Sequence, residues 1–132
     1  MVILFDQFHL PNDVFDIVFA TDQQAIAARM LLHEIKRSGG SLGKTEMSMF
    51  VKTLHAGTTI EVRDKKDASK SKHIAISYNR RQFYDRVLTP LKSMGLIDYD
   101  LYKKKYTPSD RFNASLIAIG ALWLEELKRM ER

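Results

Sequence analysis

The chain has 132 residues, of which 45% are hydrophobic and 28% are charged, and these values predict one globular domain with its own apolar core. It contains no cysteine, which excludes a disulfide framework and a zinc site built on thiolates. The formal net charge of +5 favours a polyanionic partner, either nucleic acid or an anionic membrane surface. The first apolar run, residues 1–5, is too short for a signal peptide or a membrane span, so we expect a cytoplasmic protein.

The N-terminal part of the chain predicts a short strand followed by three helices. The strand would cover residues 1–5, and a short helix would cover residues 13–20. A threonine-to-glutamine capping box then starts a helix over residues 21–37, which glycine and serine end at residues 38–41. The third helix spans about residues 45–55 and has apolar side chains at i, i+3, i+4 and i+7.

An insertion at residues 57–78 separates this helix from the next one. Residues 58–62 and 73–77 alternate in the manner of strands, and the segment between them is polar and rich in cations. We interpret the insertion as a β-hairpin or a mobile arm. Its candidate contacts to nucleic acid are Lys65, Lys66, Lys70 and Lys72. A solvated loop would explain the same charges equally well.

The most informative stretch begins with a basic amphipathic helix at residues 79–94. Asn79 is a favourable N-cap, and Gln82 completes a capping-box pattern. Arg80 and Arg81 crowd the first turn, where cations oppose the helix dipole unless an external phosphate pairs with them. Pro90 lies inside the helix, so we expect a kink or a break there. The apolar stripe consists of Phe83, Val87, Leu91 and Met94, with Tyr84 and Leu88 beside it.

Two short strands around a basic turn are predicted to follow this helix. Gly95 is suited to a left-handed C-cap, and residues 96–101 then alternate in part. A second strand follows at residues 105–107. Ser109 or Asp110 is placed to cap a closing helix.

A helix that ends in Gly-Leu-Ile, a β-hairpin and a serine-aspartate cap before a closing helix resemble the winged helix-turn-helix superfamily, particularly its small archaeal-type transcription regulators. Residues 83–112 carry the resemblance. It implies a mainly α fold with small β-hairpins (class α+β), an inserted basic hairpin and a long C-terminal helix. The single domain would comprise an N-terminal extension (residues 1–20), a winged-helix core (residues 21–110, including the insertion at 57–78) and a C-terminal helix (residues 111–132).

The resemblance also implies a binding mode on double-stranded DNA. The helix at residues 79–94 would enter the major groove, and the turn of the following hairpin would act as a wing on the phosphates. The implied recognition residues are Asn79, Arg80, Arg81, Gln82 and Arg86, and the implied wing residues are Lys103, Lys104 and Lys105. The insertion departs from the family pattern, because a compact helix-turn-helix joins its helices through three or four residues. The packing of the two helices is therefore open at this stage.

The closing helix, at about residues 111–130, carries more apolar surface than one winged domain can cover. We expect a homodimer whose interface contains Leu116, Ile119, Trp123 and Leu127, with Trp123 near the seam. Such a dimer would suit two DNA half-sites about one helical turn apart. The alternative is a monomer in which residues 1–20 fold back over the helix.

Two patterns suggest other chemistry without meeting its requirements. Residues 38–45 resemble a phosphate-binding loop, but a helix precedes them where a strand is required, and Ser38 occupies the position of the leading glycine. The four histidines have no partner histidine at i+3 or i+4, so no metal site is predicted. No catalytic motif is evident, and we expect neither an enzyme nor a cofactor.

The sequence therefore predicts a sequence-specific DNA-binding protein, a transcription regulator, with no membrane partner. A first alternative is a winged-helix protein-interaction module of a replication, transcription or segregation complex. A second is a replication or partition protein of a plasmid or virus, and a third is RNA binding through the basic insertion.

Overall fold

The structure is a computed structural model that describes residues 5–63 and 71–131, with the backbone alone for residues 60–63 and 72. The elements of the described chain are α1 (Val14–Val18), α2 (Asp22–Arg37), β1 (Leu42–Gly43), α3 (Lys44–Ala56), β2 (Thr58–Arg63), β3 (Ser71–Ile76), α4 (Arg80–Phe83), a π-helical segment (Tyr84–Leu88), α5 (Thr89–Ser93), β4 (Ile97–Asp100), β5 (Lys105–Pro108) and α6 (Arg111–Met130). Helices with small antiparallel sheets agree with the predicted α+β class. The strand predicted at residues 1–5 lies outside the described residues except for Phe5, which is not in a strand.

The first long helices form where local signals predict them. The Thr21 hydroxyl accepts a hydrogen bond from the Gln24 backbone N–H at 3.2 Å and so caps α2. One face of α2 is buried, and one face of α3 contributes further residues to the same core. The core side chains of the two helices are Ala25, Ala27, Ala28, Leu31, Ile35, Met47, Val51 and Leu54. The predicted helices at residues 21–37 and 45–55 are confirmed within a residue or two.

A three-stranded antiparallel sheet has the strand order β1-β5-β4. Tyr106 in the middle strand lies opposite Leu42 on one side and Tyr99 on the other. Leu42, Ile97 and Tyr106 are buried, so one face of this sheet closes the core. Because β5 is paired on both sides, the turn between β4 and β5 is anchored to the residues that start α3.

The insertion does not separate the two helices that flank it. Its strands β2 and β3 form an antiparallel hairpin whose first described pair is Thr58 opposite Ile76. The Tyr78 backbone N–H donates to the Leu54 carbonyl at 3.4 Å, so the chain returns to the end of α3. Phe50 of α3 then meets Phe83 edge to face, with 5.7 Å between the ring centroids.

Residues 80–93 form one continuous helix, called the basic helix below, in spite of Pro90. A proline has no N–H, so the carbonyl of Arg86 loses the donor that an α-helix would supply. The chain responds with the π-helical segment, in which the Thr89 N–H donates to the Tyr84 carbonyl. The Arg86 carbonyl accepts a hydrogen bond from Nε2 of Gln24 in α2, at 3.0 Å. A π-helical segment thus replaces the kink or break expected from the sequence.

Gly95 ends the basic helix and positions the start of α6. Its φ of +84° permits a Schellman motif, in which the Leu96 N–H donates to the Leu91 carbonyl at 2.9 Å. The Phe112 N–H donates to the Gly95 carbonyl at 3.0 Å. A Cβ at Gly95 would lie 2.8 Å from that same nitrogen, so glycine is required for the close approach as well as for the positive φ.

Helix α6 leaves the domain almost at once. Phe112 is its one buried residue, and every residue from Asn113 to Glu131 is exposed. A helix of 20 residues is about 30 Å long. The described part of the N-terminal extension does not cover it, because Phe5, Phe8 and Leu10 are themselves exposed. Within the described ranges, no helix combines the length and apolar character needed to cross a bilayer.

The first prediction concerns the hydrogen bond between Gln24 and the Arg86 carbonyl. Replacing Gln24 with leucine should lower the free energy of unfolding by about 0.5–1.5 kcal/mol, the usual net contribution of one hydrogen bond. In a Pro90→Ala background the helix regains an N–H, so the same replacement should cost less. Urea denaturation of the four proteins in this double-mutant cycle measures the coupling.

Gln23→Leu is the matched control for that cycle, since Gln23 is exposed on the adjacent position of α2. Its effect should be the same with and without Pro90. Equal costs of Gln24→Leu in the two backgrounds would contradict the proposed role of the glutamine.

Candidate nucleic-acid interface

The basic helix starts with a reciprocal cap. Oδ1 of Asn79 accepts from the Gln82 backbone N–H at 2.8 Å, and Oε1 of Gln82 accepts from the Asn79 backbone N–H at 3.1 Å. The predicted capping box is therefore confirmed. Because the cap uses both side-chain oxygens, the amide NH₂ groups are what these side chains offer to a ligand, and they are donors.

The three arginines of the helix differ in their surroundings. The Arg80 guanidinium lies over the Tyr84 ring, 5.3 Å from its centroid. Arg81 is the freest to turn outward, since its side chain is 92% exposed and its contact to Asp85 is 3.7 Å long. An exposed pair of this kind contributes about 0–1 kcal/mol. Arg86 is exposed beside Tyr78, whose pKa is raised by burial and lowered in part by the positive charge of Arg86.

The hairpin turn predicted to act as a wing is held by Asp100. Its Oδ1 accepts from the backbone N–H groups of Lys103 at 3.1 Å and Tyr102 at 2.9 Å, and its carbonyl accepts from the Lys104 N–H at 2.7 Å. These backbone hydrogen bonds, first the one from Lys103, lower the pKa of Asp100. Lys104 takes a φ of +54°, and the turn presents Lys103, Lys104 and Lys105 to solvent.

The wing turn also exposes apolar and aromatic surface. Tyr102 is 98% exposed, and its neighbour Leu101 is exposed as well. Of the other tyrosines, Tyr78 and Tyr106 are buried, and the remaining two are half-buried. Packing therefore accounts for four of the five tyrosines, and Tyr102 is the one available for stacking or for a phosphate hydrogen bond.

A row of three tyrosines, Tyr84, Tyr99 and Tyr106, joins the sheet to the basic helix. The rings of Tyr99 and Tyr106 are stacked with 4.5 Å between centroids, and a side-chain hydrogen bond links Tyr106 to Tyr84. Burial and the neighbouring tyrosines raise the pKa of Tyr106 to about 12. Two ammonium groups converge on Tyr99, because Nζ of Lys44 and Nζ of Lys92 lie 5.8 and 5.7 Å from its centroid.

Sequence patterns alone do not identify Lys44 and Lys92 as parts of this surface. Lys44 precedes the apolar face of α3, and its place beside the wing depends on the pairing of β1 with β5. Lys92 has a weak signal, since it lies on the polar face of the basic helix. In the structure both lysines stand at the base of the wing, so the cationic surface extends beyond the residues predicted for it.

The candidate lysines of the insertion contribute little to this description. Lys65, Lys66 and Lys70 lie outside the described residues. Lys72 belongs to β3, where its backbone pairs with that of Val62.

Other kinds of site receive no support from the described residues. Among them, no group of three or more histidine, aspartate or glutamate side chains is placed to hold a metal ion. Scans against protein-family models, curated proteins and solved structures found no match to this chain. The assignment of function therefore depends on the geometry of the chain itself.

The second prediction tests the Asp100 turn through its pH dependence. The folded pKa of Asp100 is below its ordinary value of 3.8, so the carboxylate stabilises the folded chain above that value. This contribution is lost as the pH falls through the lowered folded pKa. A carboxyl titration followed by NMR should give Asp100 a midpoint below 3.8.

Asp100→Asn is the matched variant, because the asparagine oxygen can still accept the two backbone hydrogen bonds. It should keep the turn and remove this acid dependence. Asp100→Ala should speed hydrogen exchange at the N–H groups of Tyr102 and Lys103. Unchanged exchange in the alanine variant would rule out the capping role.

Proposed function

We propose that the chain is a winged helix-turn-helix protein that binds double-stranded DNA in a sequence-dependent manner, as a transcription regulator in the cytoplasm. The basic helix lies in the major groove, and the lysines of the wing turn contact backbone phosphates beside it. Affinity comes mainly from the phosphates, while contacts to base edges supply the sequence preference.

The order and pairing of elements support the winged-helix part of the proposal. Helix α2, strand β1, helix α3, the basic helix and the β4–β5 hairpin follow one another, and β5 lies between β1 and β4. The edge-to-face contact of Phe50 and Phe83 keeps α3 and the basic helix packed together across the insertion. This order and pairing resemble those of a helix-turn-helix with an attached wing, with the insertion in place of the usual short turn.

One observation carries the functional part of the proposal, namely that lysines from two separate elements meet at one tyrosine of a third element. Lys44 at the start of α3 and Lys92 at the end of the basic helix both lie within 6 Å of the Tyr99 ring. Tyr99 belongs to β4, which leads directly into the wing turn. Cations gathered on one surface are typical of a site that binds phosphate, and the neighbouring Asp98 and Asp100 have partners of their own in Arg111 and in the backbone of the wing turn.

The start of the basic helix fits the same ligand. Arg80 and Arg81 lie in its first turn, where the helix dipole disfavours positive charge, and the first turn contains no acidic residue. A phosphate there would pair with the arginines, and its negative charge would also interact favourably with the N-terminal end of the helix dipole. Arg81 and the amide NH₂ of Gln82 are the side chains we assign to base edges, since Arg pairs with guanine and Gln with adenine.

A second function, docking to another protein, is favoured by the exposed apolar surface of α6. Trp123 is 60% exposed, and large apolar residues surround it. Such patches are uncommon on isolated monomers and mark interaction surfaces. The two functions use different parts of the chain and are therefore separable by experiment.

The third prediction concerns the lysines of the wing. Replacing Lys103, Lys104 and Lys105 with glutamine should weaken binding to random-sequence duplex DNA at every salt concentration. The slope of log K against log salt should become flatter by about 1–3, because each lost phosphate contact removes about 0.9 from a B-DNA slope. Titrations at four or more salt concentrations measure both effects.

The matched control replaces three cationic residues elsewhere, Lys36, Arg37 and Lys128, with glutamine. It has the same net charge as the wing variant, so an effect of overall charge would lower both slopes equally. Binding that is normal in the wing variant would exclude the wing as a contact. Tighter binding of the wild-type protein to single-stranded or A-form RNA would favour the RNA alternative.

The fourth prediction separates base reading from phosphate contact. Replacing Arg81 with alanine should reduce the difference in binding free energy between a selected site and random DNA. The expected reduction is about 1–3 kcal/mol, which is the contribution of one good base contact. Arg129→Ala is the control, because Arg129 is an exposed arginine of α6 outside the proposed DNA-binding surface, and it should leave the preference unchanged. A selected sequence bound with unchanged preference by the Arg81 variant would assign Arg81 to phosphate or to no contact.

A further inference from the structure

Helix α6 projects from the domain with its apolar side chains uncovered. Eight of them are between 39% and 77% exposed: Leu116, Ile117, Ile119, Leu122, Trp123, Leu124, Leu127 and Met130. Five of them, Leu116, Ile119, Trp123, Leu127 and Met130, share one stripe of the helix, which is the surface that a single partner helix could cover. Helix formation alone gives no reason for this density of apolar residues, because exposed helices need only one apolar stripe.

The principal stripe of α6 matches itself when one copy is reversed. Its members are Phe112, Leu116, Ile119, Trp123, Leu127 and Met130. Phe112 is buried in its own domain, so the surface open to a partner begins at Leu116. Inversion about position 121 exchanges Ile119 with Trp123 and places Leu116 within one residue of Leu127, so each layer between Leu116 and Leu127 would contain an apolar residue from both helices.

We propose that a second copy of this chain covers α6, in an antiparallel helix pair whose two-fold axis crosses the helix at the level of residue 121, on the side that carries Ile119 and Trp123. The expected homodimer is thereby given an orientation and a register. The proposal concerns a surface separate from the basic helix and the wing, so it does not depend on DNA binding.

Side-chain volume favours the antiparallel orientation. In an antiparallel pair each Trp123 lies against the smaller Ile119 of the other copy, so a large and a small residue share a layer. A parallel pair would place the two Trp123 rings in one layer and the two Ile119 side chains in the next. Layers that combine large and small side chains fill a helix interface more evenly.

The position of the domain favours the same orientation. The body of the protein is attached at the N-terminal end of α6, through the hydrogen bond from the Phe112 N–H to the Gly95 carbonyl. Reversed helices place the two domains at opposite ends of a pair about 30 Å long. Parallel helices, packed 8–10 Å apart, would bring both domains to the same end.

Cysteine cross-linking tests the orientation directly, because the natural chain has no cysteine. Gly120→Cys places a thiol next to the two-fold axis, so oxidation in the absence of DNA should give a covalent dimer. Leu127→Cys should not cross-link to itself, since its two copies lie about 18 Å apart along an antiparallel pair. The reverse result, with Leu127→Cys linked and Gly120→Cys unlinked, would overturn the antiparallel assignment.

Analytical ultracentrifugation of the uncross-linked protein tests the dimer itself. The wild-type protein should sediment as a dimer and Trp123→Glu as a monomer. Ala121→Glu, on the opposite side of the same helix, is the control and should remain dimeric. Because residues after Phe112 make no part of the core, the domain should stay folded in both variants, and the unfolding temperature should depend on protein concentration only where the dimer forms.

A wild-type protein that is monomeric at every concentration would overturn the proposal and leave α6 to a different protein. DNA binding and dimerisation are measured independently of each other. A dimer that binds no DNA would refute the proposed function alone, and a monomer that binds DNA would refute this inference alone.

Discussion

The antiparallel pairing of β5 with both β1 and β4 is the constraint on which the proposed interface depends. It places Tyr106 between Leu42 and Tyr99 and so connects chain segments about 60 residues apart. Without it, the turn that carries the wing lysines would have no fixed relation to α3. The stacked pair of Tyr99 and Tyr106 gives this connection an aromatic layer against the basic helix. The position of the charges is therefore a consequence of sheet pairing and core burial.

The basic helix combines features that cost stability with features that compensate for them. Cations in its first turn oppose the helix dipole, and Pro90 removes a backbone donor from its interior. The reciprocal cap of Asn79 and Gln82 stabilises the start, and the amide of Gln24 satisfies the Arg86 carbonyl. Local costs that neighbouring elements offset are common where a surface is selected for binding. The π-helical segment belongs to the same pattern, since such segments occur frequently at functional sites.

Local signals predicted much of the fold, because caps, glycine turns and apolar periodicity act over a few residues. The capping boxes at Thr21 and Asn79 and the left-handed Gly95 are of this kind. Features that depend on distant contacts were not predictable. The π-helical segment involves a hydrogen bond between residues 62 positions apart, and Lys44 reaches the candidate site only through β1. Periodicity also showed an excess of apolar surface on α6, whereas its full exposure follows from the path of the chain after Phe112.

The two surfaces of the molecule place different demands on one turn. Gly95 ends the basic helix with a positive φ and accepts the hydrogen bond that fixes the start of α6. The direction in which α6 leaves the domain is thus set within three residues of Lys92, at the base of the wing. In an antiparallel pair, any change in this turn would alter the separation and the mutual tilt of two basic helices. In the proposed DNA-bound dimer, the spacing between half-sites would be determined by the length of α6 and by the geometry of one glycine, since both connect the proposed DNA-binding surface to the proposed two-fold axis.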